Sequence, residues 1–155
     1  MPHPSIEDFW QAYIKSLPPE TELSTGGYTA WHFCDDEVNA NELAQLAKDG
    51  IKTATCGLLL SYEAEGEAVP QPGDFSVVTD WLDQPICIIQ TVEVELKPFN
   101  QVDAAFAYDE GEGDRSYEYW RQGHWRYFTR ECQAIGRSFQ EDLIVVCERF
   151  HTVFP

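Results

Sequence analysis

The residues best able to do chemistry fall in two short stretches. Gly50-Ile51-Lys52-Thr53-Ala54-Thr55 sets one of only four lysines beside two hydroxyls. Glu110-Gly111-Glu112-Gly113-Asp114 sets three carboxylates among glycines, and the aromatic segment behind it carries Trp120 and His124. An amine, a hydroxyl and carboxylates in one cleft suffice for acid–base or nucleophilic chemistry without a metal. A partly buried Lys52 beside Thr55 would lose its proton more easily and serve as a base; left charged, it would hold a phosphate or a developing oxyanion. Glu110 and Glu112 are the catalytic carboxylate candidates. Alternating glycines suggest close backbone approach, and crowding of acids raises the pKa of one toward a general acid. Asp114 is explained equally well as a helix cap. Thr53 and Thr55 share one face of an extended segment and Lys52 takes the other, so a Lys52–Thr55 contact requires a turn or bulge after Gly50. Trp120, His124 and Tyr127 could stack a base, or form an aromatic core stripe. With no HExxH and no Cys/His pairing, neither a metal nor a cofactor is expected.

The charge narrows the partners. A net charge of −17 on 155 residues repels nucleic acid and anionic membranes at long range. Duplex DNA is excluded as a non-specific partner, because the phosphate attraction it needs is missing. A local basic pocket could still take one phosphate or a few nucleotides. Five of the six arginines lie between Arg115 and Arg137, as an ion-paired helix surface or as an anion-binding face that would use Arg121 and Arg130. Five cysteines without a CxxC read as reduced core thiols. No basic and apolar leader opens the chain and no run is long enough to span a bilayer, so a cytoplasmic location without membrane contact is expected.

The elements that would position these groups form a mixed pattern. Helices are predicted at 5–16, 39–48, 102–108 and 116–135, the first ended by Pro18-Pro19 and the second by Gly50. Strands are predicted at 28–33, 75–81, 86–97 and 142–154, and 58–64 fits helix or strand. Val92, Val94 and Leu96 alternate with charged residues, which predicts a half-buried strand. On the longest helix Tyr117, Trp120, His124, Tyr127, Phe128, Glu131 and Ile135 share a face. The length suits one domain over 1–155, with the helix at 5–16 packed on it. Strands without regular βαβ alternation imply an α+β domain with a small barrel or curled sheet.

The ordered set of motifs resembles the ASCH domain family. Gly50, Lys52 and Thr55 match its Gly-x-Lys-x-x-Thr/Ser signature. Its longer bacterial members are similar at Pro72-Gly73-Asp74, Pro85 to Ile89, Glu110 to Asp114, Tyr119-Trp120-Arg121, His124 and Val146 to Phe150. The resemblance runs from about Trp31 to the C-terminus. It implies a PUA-like fold, a small β-barrel surrounded by helices, and RNA or a small nucleoside or nucleotide as partner. Some bacterial members look like ribonucleases on single-stranded RNA. A shorter type hydrolyses the amide of N4-acetylcytidine with a lysine, a threonine and a glutamate. The first two fall on Lys52 and Thr55, and the third in the region of Glu110 to Glu112. The first expectation is a metal-independent ribonuclease: Lys52 on phosphoryl oxygens, Glu110 or Glu112 as the acid–base group, Arg121 or Arg130 on phosphate, Trp120 or Tyr127 on a base. The alternatives are an amidohydrolase of N4-acylated cytidine, with Thr55 as nucleophile, and a non-catalytic binder of RNA or a modified nucleoside. The oligomeric state is left open.

Overall fold

A computed structural model describes residues 4–21 and 27–155. The elements run α1 (Pro4–Ser16), β1 (Thr29–Trp31), α2 (Glu37–Lys48), β2 (Ala54–Leu58), α3 (Leu59–Glu65), β3 (Phe75–Thr79), β4 (Pro85–Pro98), α4 (Ala104–Glu110), α5 (Tyr117–Ala134) and β5 (Ile144–Phe154). The five strands form a curled half-barrel in the order β1-β3-β4-β5-β2, so β1 and β2 are its two open edges. Only the β1–β3 pair is parallel. The sheet therefore stops short of a closed barrel among the described residues, and the gap between its edges becomes usable space.

Three apolar clusters hold the helices to this sheet. Helix α1 lays Ile6, Trp10 and Tyr13 against Phe75, Val77 and Ile88. Helix α2 packs through Ala44 and Ala47 on Val78, Cys87 and Ile89; small residues let its axis come close to the sheet. Helices α4 and α5 cover β2 and β5 through Phe106, Trp120, Phe128 and Cys132. Complete burial of a side chain such as Phe128 contributes about 1.5–3 kcal/mol. All five cysteines are free, four of them buried.

Several sequence expectations shift. The ambiguous run at 58–64 is helical, and the strand lies just before it, at Ala54–Leu58. The alternation at Val92, Val94 and Leu96 does not mark a buried face: Val92 and Leu96 are exposed. A register shift in the β4–β5 pairing between Thr91 and Glu93 reorients this stretch. Ile135 lies past the end of α5 and is exposed, so the buried stripe runs Trp120, His124, Phe128, Cys132. Helix α4 reaches Glu110, two residues beyond the predicted end.

Candidate functional site

The two motifs meet because a helix end docks on an extended segment. Gly50, at φ +75°, turns the chain out of α2, and the amides of Ile51 and Lys52 both donate to the Leu46 carbonyl. Asp109, near the end of α4, accepts from the Thr53 amide at 2.8 Å and from the Thr53 hydroxyl at 3.3 Å. Gly111 then turns away at φ +71°, so close to Ile51 that an added Cβ would lie 2.8 Å from its carbonyl oxygen. A side chain at 111 would hold the motifs apart.

Lys52 reaches into this junction. Its Nζ donates to Glu110 Oε1 at 3.0 Å and to Glu112 Oε2 at 2.9 Å, and lies 3.4 Å from the Glu110 carbonyl oxygen. The other Glu110 oxygen accepts from the Trp120 indole N–H and faces His124 Nε2 at 3.1 Å, while His124 Nδ1 lies 2.9 Å from the Trp120 carbonyl oxygen. Lys52 and Glu110 are each only 1% exposed. Glu110 ends α4, where the helix dipole disfavours a carboxylate; three donors offset that cost.

Proton affinities follow from this network. Burial pulls the Lys52 amine down, but Glu110 and Glu112 outweigh it and the amine is held above its ordinary value. It stays charged at neutral pH, which favours the charged alternative for Lys52 over the neutral base. Burial pushes Glu110 up, yet Lys52 and His124 hold it well below the usual carboxylate range. Glu112 is raised, by burial and then by Glu110. Burial lowers His124, but Glu110 raises it further. Glu110, Glu112 and His124 bring ligand atoms within 4.8 Å of one another and could hold a cation, as could Cys34, Asp35 and Asp36. In the first group the Lys52 ammonium already contacts both acids.

Thr55 lies elsewhere. Lys52, Ala54, Cys56 and Leu58 are buried while Thr53, Thr55 and Gly57 are half-buried, so the strand's alternation extends back to Lys52 without a bulge. The Lys52–Thr55 contact the amidohydrolase reading requires is therefore not made. Thr55 instead faces a cavity of about 610 Å³ between the edges β1 and β2, closed by α3, α5 and β5. Tyr28, Trp31, Phe33, Tyr62 and Tyr127 supply aromatic walls, and Glu131 and Glu148 supply carboxyls. No lysine or arginine lines it among the described residues. Phe33 joins the two regions: it lines the cavity and carries Lys52 Nζ 5.0 Å from its ring centroid.

The chain matches the ASCH domain model over residues 29–154. It belongs to the ASCH domain family. The family is generally thought to bind RNA. The fold is similar to that of an ASCH domain from Lactobacillus crispatus JV V101, at 38% identity and a TM-score of 0.92, over 99% of this chain and 97% of that one. It is similar also to protein EF3133 from Enterococcus faecalis V583, at 34% identity and a TM-score of 0.85, over 97% and 88% of the two chains. No curated protein gives a significant match. No described helix is long and apolar enough to cross a membrane.

Within this ASCH domain the expected site residues separate. Lys52, Glu110, Glu112 and His124 converge. Trp120 is 2% exposed, stacked on Phe99, Tyr117 and His124, and bonded to Glu110. It is core, and neither it nor the buried His124 offers a face to a base. Tyr127 does reach the cavity wall. The arginines do not gather into one anion face: Arg115 covers Tyr108, Arg121 pairs with Glu141, and Arg130 pairs with Asp35 near Tyr127. Asp114 is exposed and accepts from the Ser116 amide, as a capping turn does. Sequence reasoning placed Glu131 on a helix face and Glu148 in a strand but took neither as a site residue. Glu148 had a signal, an acid inside the apolar run Ile144 to Phe150.

Proposed function

We propose that this ASCH domain takes a single unstacked nucleobase, free or from an RNA, into the cavity between β1 and β2. The supporting observation is the lining itself: aromatic walls and carboxyls around about 610 Å³, with no lysine or arginine among the described lining residues. The volume falls within the range of roughly 300–1,000 Å³ usual for small-ligand sites. Aromatic walls suit a planar base; acidic walls repel phosphate, which would stay at the mouth. The ribonuclease expectation finds less support, because the Lys52 charge is enclosed and compensated by two carboxylates.

Hydrolysis of an N4-acylated cytidine is the second reading. The Thr55 hydroxyl on the cavity wall favours it, with Glu148 directly across the strand pair as the group to take its proton. Lys52, Glu110 and Glu112 would then shape the field behind the wall.

Calorimetric titration with cytidine, N4-acetylcytidine and a short single-stranded RNA separates these readings when paired with chromatography of the products. Saturable nucleoside binding, weakened about tenfold or more in Tyr127→Ala, is expected for a base held against aromatic walls. Cytidine release that Thr55→Ala abolishes would establish the second reading. RNA cleavage by a protein that binds no nucleoside would overturn both.

A further inference from the structure

Glu148 sits deep in the cavity wall with one oxygen uncommitted. It is 4% exposed and stands opposite Thr55 in the β2–β5 register. Thr91 donates its hydroxyl to Oε2 at 2.6 Å, which anchors the carboxyl. Oε1 has no hydrogen-bond partner among the described residues. Among the described residues no fully enclosed side-chain oxygen lacks a partner, so Oε1 is not sealed off, and Glu148 lines the cavity. Glu131 presents a second carboxyl to the same space from α5.

We propose that the cavity selects nucleobases bearing an exocyclic amino group, and that Glu148 reads this group through its free oxygen. The inference rests on the nucleobase reading above and names the class of base. An amino group offers N–H donors, and the free Glu148 oxygen is an acceptor for one of them. Cytosine and adenine carry such a group. Uracil presents a carbonyl oxygen in its place, which would set acceptor against acceptor in a space with little water to screen it. A buried acceptor left without a donor costs enough to give a clear preference. Thr91 holds the carboxyl in one orientation, so the reading atom is positioned before the ligand arrives. Burial raises the proton affinity of Glu148, with Asp74 adding to it and the Thr91 hydrogen bond opposing it.

The test compares cytidine, adenosine and uridine by calorimetry at fixed pH and salt on the wild-type chain, Glu148→Gln and Glu148→Leu. Cytidine and adenosine are expected to bind the wild type about 10–100-fold more tightly than uridine. Glu148→Leu should bring the nucleosides to within about twofold of each other. Glu148→Gln keeps one carbonyl acceptor and should retain part of the preference. Equal binding of uridine and cytidine to the wild type would overturn the amino-group reading and leave the nucleobase site standing; absence of binding by every nucleoside would overturn both. If circular dichroism shows that the leucine variant does not fold, a wild-type crystal soaked with cytidine decides. The amino nitrogen is then expected within about 3.2 Å of Glu148 Oε1, and an amino group placed elsewhere overturns the assignment.

Discussion

At the scale of single residues, one lysine charge is shared between two acids of unequal character. Glu110 sits low because Lys52 and His124 hold its ionised form, and Glu112 sits high because burial and Glu110 oppose a second negative charge. These shifts set the direction of pH dependence. The depressed Glu110 contributes stability that is present above its unfolded value of about 4.3 and lost as pH falls through its folded one. Glu131 and Glu148 are raised, so each ionises against burial and stability declines as pH climbs above that same unfolded value. His124 is raised as well; its contribution is full below about 6.5 and is lost as pH rises through its folded value. Urea midpoints should therefore peak in mildly acid solution and fall toward alkaline pH. In His124→Gln the part of that fall above pH about 6.5 should flatten, by at most about 1.4 kcal/mol per pH unit for one proton. An unchanged alkaline slope would remove His124 as its source. The lysine motif was legible in the sequence as chemistry. Its charged state was not, because that depends on which acids surround the amine.

At the scale of elements, the decisive feature is how closely the end of α4 approaches the segment before β2. Two glycines with positive φ bound this junction, and they differ in what surrounds them. Gly50 has nothing within 4 Å of an added Cβ, whereas Gly111 has the Ile51 carbonyl oxygen at 2.8 Å. Gly50→Ala should cost only the left-handed backbone penalty, about 1–2 kcal/mol. Gly111→Ala carries the same penalty plus a backbone clash, and should lower the urea midpoint clearly further. Equal losses in the two variants would mean that the approach at Gly111 is not tight. Helix ends and strands were readable here from caps, glycines and apolar runs. The bulge in β4 was not, because it arises from pairing with β5 rather than from the residues at 92–96. Glu110 was read as part of a turn; it is the last residue of α4, and the αL glycine after it marks that stop.

Across the whole molecule, an open half-barrel leaves its two edges facing a cavity, and the charge distribution decides what can enter. The net charge of −17 continues into that space as carboxyls rather than being reversed by a basic lining. Binding of a nucleoside without phosphate should therefore be almost indifferent to salt, changing less than about twofold between 50 and 200 mM. A protein gripping six or more phosphates would lose about a thousandfold or more over the same range. A steep salt dependence for nucleoside affinity would show that cationic contacts, absent from the described lining, carry the binding.

By itself the sequence determined the family, the α+β character, most of the elements and the pairing of a lone lysine with glycine-flanked acids, because each is written in local patterns and short motifs. Only the tertiary structure decided that Lys52 is enclosed and charged, that Trp120 and His124 are core, and that Thr55 turns to a separate cavity beside Glu148. Burial and partner identity are set by contacts between residues far apart along the chain, and a strand's alternation reveals that two neighbours face opposite ways without revealing what either one faces.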